Sequence, residues 1–121
     1  MIYMVDIDQT ICLTPFMDGK HRYELSVPVK HRIEYINKLD DQGHTIKYWT
    51  ARGSGSGIDW TELTTQQLNE WGCKFHEVRL GKPSYDIWID DKALNDKQFF
   101  HDADMRHYIM QTVQTTGVIN E

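Results

Sequence analysis

The chain has 121 residues, the size of one domain, with 40% apolar residues, 26% charged residues and a formal net charge of −5. No run approaches the roughly 18 apolar residues of a transmembrane helix, and acid at Asp6 is unlike a signal peptide, so we expect neither. The negative charge argues against broad electrostatic binding to nucleic acid or to an anionic membrane. Two cysteines without a CxxC pair are typical of the reducing cytoplasm.

The first half of the chain predicts two strands joined by a loop and a helix. Residues 2–7 are short, β-branched and apolar, which is typical of a strand buried in a parallel sheet. Residues 13–28 carry several turn residues and predict a long loop with room for a short hairpin. Apolar residues at helical spacing predict a helix over 29–42, and residues 44–49 predict the second strand.

The second half predicts a helix, two strands and a helical C-terminal segment. Asp59 and Glu62 match a capping box, and the helix they begin ends at Gly72. Residues 74–80 predict the third strand and residues 85–89 the fourth. The remainder is helical in part, with an apolar face. Alternating strands and helices predict βαβ units and a mostly parallel α/β sheet, without an internal repeat or a linker.

Polar side chains stand at the carboxyl ends of the predicted strands, where ligands of such sheets bind. They are Asp6 and Asp8 after the first strand, Thr50 after the second, Lys82 before the fourth, and Asp90 and Asp91 after it. Carboxylates brought this close repel one another unless a cation lies between them. Mg²⁺ favours carboxylate and phosphate oxygens, and a Lys and a Thr can bind the same phosphate. The set therefore predicts a phosphoryl group bound with metal assistance.

These motifs resemble those of the haloacid dehalogenase (HAD) superfamily of phosphatases over roughly residues 1–100. Asp6-Ile7-Asp8-Gln9-Thr10 is similar to the first motif of that family, Thr50 to the second, Lys82 to the third, and Asp90-Asp91 to the fourth. The resemblance implies a three-layer Rossmann-like sheet with helices on both faces. It also implies one domain over 1–121, with its core in about 1–100 and a C-terminal helical extension over about 101–121.

The resemblance assigns roles to the motif residues. Asp6 would be the nucleophile that forms an aspartyl-phosphate, and Asp8 would be the general acid and then the base. Mg²⁺ would be held by Asp6, by the backbone carbonyl of Asp8 and by Asp90, with Asp91 in support. Residues that would bind substrate or phosphate are Thr50, Ala51, Arg52 and Lys82. Arg52 either reaches a second anionic or hydroxyl group, or is an exposed salt-bridge partner.

One residue departs from the family pattern, and two further features exclude related types of protein. Gln9 stands where the family usually has Gly, which would alter the loop after the nucleophile without removing a catalytic group. Receiver domains also phosphorylate an Asp, but here the last acidic pair follows Lys82, which is not the order of a receiver. Only about 20 residues lie between Thr10 and the first predicted helix, too few for a cap domain, so a capless enzyme is expected.

The substrate class is suggested only by a resemblance to other proteins, and not by the chemistry of particular residues. Trp49-Thr50-Ala51-Arg52-Gly53 and the stretch from Gly81 to Ala93 resemble a small capless subgroup found with capsule and surface-polysaccharide biosynthesis proteins. That resemblance implies a small phosphorylated metabolite such as a sugar or polyol phosphate. The alternatives are a polynucleotide 3′-phosphatase, a phosphoryl transferase with an acceptor other than water, and a non-catalytic phosphate-binding or regulatory module.

Four remaining features receive simpler interpretations. The GSGSG tract at 53–57 lacks the Lys-Ser or Lys-Thr of a P-loop and is interpreted as a flexible loop beside the site. The group His101, Asp102, Asp104 and His107 is interpreted as a solvated helix start rather than a metal cluster. Cys12 is interpreted as a packed residue. The apolar face of the C-terminal segment packs on the sheet or on a second subunit, and a homo-oligomer is expected.

Overall fold

The structure is a computed structural model that describes residues 1–116. It divides into two compact units, Met1–Ile89 and Asp90–Glu121, and each is described by itself. Residues 117–121, the end of the predicted C-terminal extension, lie outside the described residues. The prediction of a single domain over 1–121 stays a prediction.

The first unit is a mixed α/β structure built on a small parallel sheet. Its elements in chain order are β1 (Ile2–Val5), β2 (Cys12–Leu13), β3 (Phe16–Met17), β4 (Lys20–His21), a 3₁₀ turn (Tyr23–Leu25), β5 (Val27–Pro28), α1 (Lys30–Asp41), β6 (Thr45–Trp49), α2 (Thr61–Glu70) and β7 (Glu77–Arg79). The main sheet has the order β1-β6-β7, and both pairs of strands are parallel. The predicted βαβ units and the mostly parallel sheet are therefore confirmed.

One face of the main sheet carries the core. Parallel crossovers are right-handed, and both crossovers step in the same direction across the sheet, so α1 and α2 cover the same face. Ile46 and Tyr48 project from β6 towards that face and are 0% exposed. The buried apolar side chains of this unit are Ile7, Ile11, Cys12, Ile33, Ile36, Ile46, Tyr48, Leu68 and Cys73. They place the core directly beneath the loop that follows β1.

The segment between β2 and α1 is an ordered flap rather than an irregular loop. β2 pairs antiparallel with β5, and β3 pairs antiparallel with β4. The pair of β3 and β4 is a short hairpin of the kind that the sequence allowed. The N–H of Val29 donates to the carbonyl of Ile11 at 2.8 Å and ties the end of the segment to its start. The flap therefore stays beside the loop that carries the two N-terminal aspartates.

The prediction of a fourth strand over residues 85–89 is wrong. These residues have no strand in the structure, and Ile87 and Ile89 are 79% and 93% exposed. The alternating apolar composition that suggested a strand has no neighbouring strand to pair with here, and strand propensity acts only through such pairing. The third strand is also shorter than the predicted 74–80, since β7 covers only Glu77–Arg79.

The start of α2 also differs from the prediction. The Asp59 carboxylate accepts hydrogen bonds from the N–H and the O–H of Thr61, at 2.9 and 2.6 Å. It therefore caps the first helical residue, two positions away, and does not form the predicted capping box with Glu62. The predicted C-terminal ends of both helices agree closely with the structure. Gly43, at φ 94°, lies just after α1, and Gly72, at φ 74°, lies just after α2.

The second unit contains two helices, α3 (Asp96–Phe99) and α4 (His101–Thr116). Asn95 caps α3 by accepting from the Lys97 N–H at 3.0 Å. The predicted C-terminal helix is confirmed over the described residues, and Met105, Tyr108 and Ile109 on it are exposed. In the part of the chain that the structure describes, no helix is long and apolar enough to cross a bilayer.

A pair of isoleucine substitutions tests the position of the core. Ile46→Ala removes a side chain that is 0% exposed, and we expect it to lower the free energy of unfolding by about 2–5 kcal/mol. The matched control is Ile2→Ala on the neighbouring strand, where the side chain is 65% exposed and the loss stays below about 1 kcal/mol. Urea denaturation measures both. Equal losses would contradict the assignment of the covered face.

Candidate functional site

A tight loop after β1 presents the two N-terminal aspartates. The carbonyl of Ile7 accepts hydrogen bonds from the N–H groups of Thr10 and Ile11, at 3.1 and 2.9 Å. Ile7 is 0% exposed, so the loop is anchored in the core between the two carboxylates. Asp6 and Asp8 are held on either side of this anchor, at the carboxyl end of β1.

Asp6 has an accessible carboxylate next to a cation. Its side chain is 38% exposed, Lys82 Nζ lies 3.5 Å from its Oδ1, and Thr10 Oγ1 donates to its Oδ2 at 3.0 Å. Burial raises the pKa of Asp6 above its ordinary value of 3.8, although the charge of Lys82 and the Thr10 hydrogen bond act in the opposite direction. Asp6 is therefore a carboxylate whose charge is only partly compensated by the protein.

Asp8 is bound by a bidentate arginine. Arg52 Nε donates to Asp8 Oδ2 at 3.0 Å and Arg52 Nη2 donates to Oδ1 at 2.8 Å, while the Thr14 hydroxyl donates to Oδ1 at 2.5 Å. Burial alone would raise the pKa of Asp8, but the hydrogen bonds and charge of Arg52 outweigh it and hold this pKa below its ordinary value. Asp8 is therefore ionised at neutral pH.

Arg52 itself is buried, at 2% exposure, and every donor of its guanidinium has an acceptor. Besides the two bonds to Asp8, Nη1 donates to Thr64 Oγ1 at 3.1 Å and to Gln67 Oε1 at 2.6 Å, and Nη2 donates to Ser26 Oγ at 3.4 Å. Arg52 is a salt-bridge partner but not an exposed one, since it is buried while the Asp8 side chain is 23% exposed. A contact between Arg52 and a substrate stays a prediction.

Thr50 connects the second strand to the lysine. Its N–H donates to the Arg79 carbonyl at 2.9 Å, and its carbonyl accepts from the Lys82 N–H at 3.1 Å. Its hydroxyl accepts from the Arg52 N–H at 3.1 Å, and the residue is 1% exposed. Ala51, half-buried, follows Thr50 in the same turn. Thr50 therefore lies beneath the surface of the site and fixes the backbone of Lys82.

Lys82 lies between the Asp6 carboxylate and two aromatic rings. Its side chain is only 14% exposed, and its Nζ is 5.3 Å from the ring centre of Tyr85 and 5.7 Å from that of Trp88. The Ser54 hydroxyl, in the GSGSG tract, donates to the Lys82 carbonyl at 2.7 Å. The tract therefore borders the site as expected, while its flexibility stays a prediction.

The predicted metal ligands are divided between the two units, and Asp6 and Asp8 belong to the first. Asp90 and Asp91 belong to the second unit, where Asp90 Oδ1 accepts from the Lys92 N–H at 3.0 Å. Among residues 1–116, no three His, Cys, Asp or Glu side chains form a group that could hold a metal ion. The segment from His101 to His107 does begin a helix, since His101 is the first residue of α4.

Gln9 has a structural role that its position in the sequence did not reveal. Its φ of 62° lies in the left-handed region, which explains why Gly is usual at such a position. Its side-chain amide donates to the Thr14 carbonyl at 3.1 Å and accepts from the Thr14 N–H at 3.2 Å. These two bonds fix Thr14, whose hydroxyl contacts Asp8 and lies 2.7 Å from that of Ser26. Thr14 and Ser26 are members of the site that the sequence did not single out.

Cys12 packs beneath this loop. Burial raises the pKa of its thiol to about 11, so at neutral pH it is protonated and poorly nucleophilic. Its Sγ lies 3.6 Å from Asp8 Oδ1 and from the carbonyl of Ile7. The interpretation of Cys12 as a packed residue is confirmed.

Comparisons with known proteins show the fold. No protein-family model and no curated protein matches the sequence. A crystal structure of a structural-genomics (MCSG) target from Vibrio cholerae is similar, with a TM-score of 0.68 and 22% identity over 88% of this chain and 98% of that chain. At that identity the similarity extends to the fold alone.

Removing Arg52 tests whether its pair with Asp8 organises the site. Arg52→Met leaves the half-buried Asp8 carboxylate without its partner, so we expect the free energy of unfolding at pH 7 to fall by about 3 kcal/mol. Because the pKa of Asp8 is lowered, this stabilisation is complete above the ordinary value of 3.8 and is lost as the pH falls through the lowered pKa. Urea denaturation as a function of pH measures the loss.

The matched control is Arg22→Met, which removes an exposed arginine paired with Glu24. It should leave the unfolding midpoint unchanged, because exposed ion pairs contribute little. An Arg52→Met protein as stable as the control at pH 7 would contradict the account of this pair.

Two substitutions at Gln9 separate its backbone strain from its hydrogen bonds. Both Gln9→Ala and Gln9→Gly remove the amide bonds to Thr14, but only Gly relieves the left-handed φ. We expect Gln9→Ala to be less stable than Gln9→Gly by about 1–2 kcal/mol in urea denaturation. An Ala variant as stable as the natural protein would show that the amide bonds contribute nothing, and an Ala variant as stable as Gln9→Gly would show that the backbone strain contributes nothing.

Proposed function

We propose that the protein is a Mg²⁺-dependent phosphomonoesterase of the HAD type that acts through an aspartyl-phosphate on Asp6. The observation that carries the proposal is an accessible Asp6 carboxylate 3.5 Å from Lys82 Nζ, with Asp8 two residues further along the same loop. In the proposed fold, helices of the whole chain cover both faces of the sheet in a three-layer Rossmann-like arrangement. The parallel sheet β1-β6-β7 supports that reading, with the candidate residues at its carboxyl edge.

The phosphate would bind beside the pair of Asp6 and Lys82. Lys82 Nζ lies 3.5 Å from Asp6 Oδ1, so its charge neutralises the nucleophile while its ammonium hydrogens can still donate to a phosphate oxygen. Thr50 holds the Lys82 backbone through its carbonyl and keeps its own hydroxyl hydrogen available as a donor. Ala51 and Arg52 complete the turn, with Arg52 acting through Asp8. This arrangement favours an anionic, phosphate-sized ligand.

The reaction would proceed in two steps on this chain's own residues. An Asp6 oxygen attacks phosphorus and forms the P–O bond of the aspartyl-phosphate, while the bond to the leaving oxygen breaks and that oxygen takes a proton from Asp8. Asp8 then accepts a proton from water, which attacks phosphorus and releases inorganic phosphate and the Asp6 carboxylate. The lowered pKa of Asp8 keeps it ionised, as the base of the second step must be, although it also makes Asp8 a weak base. Protonation for the first step requires one Arg52 hydrogen bond to loosen.

The residues present are compatible with a bound Mg²⁺. Burial raises the pKa of Asp6, because Lys82 and Thr10 do not fully compensate the cost of burying its negative charge. A bound cation would compensate the remainder. Both carboxylate oxygens of Asp8 are already bonded to Arg52, so Asp8 would contribute its backbone carbonyl, as the HAD resemblance implies. Asp6 and Asp8 of the first unit would contribute to holding the ion, and the HAD resemblance implies Asp90 as a further ligand, with Asp91 in support. Mg²⁺ supplies charge stabilisation for the transferring phosphoryl group.

The proposed substrate is a small phosphorylated metabolite such as a sugar or polyol phosphate. A polynucleotide 3′-phosphatase is the second candidate, because the Thr50-Ala51-Arg52 turn resembles that of such enzymes, but the net charge of −5 disfavours a nucleic-acid substrate. A phosphoryl transferase would use the same residues with another acceptor. A non-catalytic phosphate-binding or regulatory module would use Asp8 only as the partner of Arg52 and would release no phosphate.

The cellular setting is also part of the proposal. Cys12 and Cys73 are both unpaired and buried, which is consistent with a cytoplasmic protein. The exposed Met105, Tyr108 and Ile109 of α4 are consistent with a homo-oligomer, in which a second subunit covers that face.

Replacing the proposed nucleophile tests the mechanism. Asp6→Asn removes the attacking charge, so we expect phosphate release from sugar phosphates in Mg²⁺ to fall by about 10³-fold or more. Chelation of Mg²⁺ with EDTA should abolish release by the natural protein. The matched control is Asp18→Asn, since Asp18 is exposed and its φ of 53° suits Asn. Undiminished release by Asp6→Asn would exclude the aspartyl-phosphate route.

A further inference from the structure

Three aromatic side chains form a cluster beside the phosphate position. The rings of Trp49 and Trp88 are 5.9 Å apart at 84°, and those of Tyr85 and Trp88 are 5.0 Å apart at 59°. Tyr85 and Trp88 remain 48% and 42% exposed. Large aromatic side chains that stay in contact with water next to a polar site are typical of ligand-binding surfaces. We call Trp49, Tyr85 and Trp88 the aromatic cluster.

The aromatic cluster borders Lys82, the residue proposed to bind the phosphate. Lys82 Nζ is 3.5 Å from Asp6 Oδ1, and it lies over the rings of Tyr85 and Trp88 at 5.3 and 5.7 Å from their centres. Lys82 covers part of the two rings, and the rest of each side chain stays exposed. A phosphate bound by Lys82 would place the group esterified to it beside these exposed parts.

We infer that the aromatic cluster is the subsite for the ring of a hexopyranose phosphate, an inference that rests on the proposed function. A pyranose presents a face of C–H groups, which carry partial positive charge and pack on the negative face of an aromatic ring. Its hydroxyl groups stay in water, which suits an open surface. The rings of the cluster are steeply inclined to one another, so no parallel pair is available to enclose a nucleobase.

The inference narrows the substrate class. An open-chain polyol phosphate offers no rigid apolar face and gains little from a ring. Sugar phosphates in the cyclic form should therefore be preferred over glycerol phosphate of the same charge. The preference depends on Trp88 and Tyr85, and not on the residues that hold the phosphate.

Binding is measured first, by tryptophan fluorescence of an Asp6→Asn protein in Mg²⁺, which separates the subsite from turnover. The probes are glucose 6-phosphate, glycerol 3-phosphate, adenosine 5′-monophosphate and inorganic phosphate. We expect glucose 6-phosphate to bind most tightly, and Trp88→Leu to weaken it by about three- to tenfold while leaving inorganic phosphate unchanged. Because Trp88→Leu also removes a fluorophore, isothermal titration calorimetry measures the affinities of each variant.

Further variants keep the inference falsifiable. Trp88→Phe retains a ring and should recover most of the affinity, while Tyr85→Leu should repeat the selective loss without altering Trp88. The matched control is Ile87→Ala, in the same segment and 79% exposed, which should change nothing. Equal weakening of all four probes by Trp88→Leu, or tighter binding of adenosine 5′-monophosphate than of glucose 6-phosphate, would overturn the inference.

The subsite and the proposed function fail separately. Ring-dependent binding of glucose 6-phosphate by a natural protein that hydrolyses no ester would retain the subsite and reject the phosphatase. Hydrolysis of many esters, with a kcat/KM for glucose 6-phosphate that Trp88→Leu does not lower, would retain the phosphatase and reject the subsite.

Discussion

The first unit is organised around one buried ion pair, Arg52 with Asp8. Arg52 has donors for five hydrogen bonds, and it uses them on the loop after β1, on α2 through Thr64 and Gln67, and on the flap through Ser26. A charge buried to this degree is tolerable only when its hydrogen bonds are satisfied. The elements that meet at Arg52 must therefore keep their relative positions, and the carboxyl edge of the sheet is fixed as a consequence.

That constraint gives the two aspartates different environments although they are two residues apart. Burial raises the pKa of Asp6, which stays accessible beside Lys82, whereas Arg52 lowers the pKa of Asp8 and occupies both of its oxygens. Pairs of carboxyl groups whose environments move their pKa values in opposite directions are suited to different catalytic roles. In such pairs the raised pKa marks the proton donor, so the proposed division, with Asp6 as the nucleophile and Asp8 as the group that moves protons, rests on the accessibility of Asp6 beside Lys82 and not on the pKa values.

The strand ends were predictable because parallel strands bring their carboxyl ends to one edge, so Asp6, Thr50 and Lys82 could be grouped from sequence alone. The burial of the Arg52 side chain was not predictable, because its hydrogen-bond acceptors come from three separate segments and no local sequence pattern encodes them. Gln9 stood out only as an unusual residue, and its bonds to Thr14 depend on a loop conformation that composition does not specify. The strand predicted at 85–89 failed because propensity was counted without a pairing partner.

The most direct test of the central claim is to trap the covalent intermediate. The natural protein would be mixed with a phosphorylated substrate and Mg²⁺, quenched in acid within the first turnover, and digested for peptide mass spectrometry. The account predicts one added phosphoryl group on the peptide that contains Asp6, labile at alkaline pH as an acyl phosphate is. Rapid phosphate release with no phosphorylated Asp6 peptide at any quench time would contradict it.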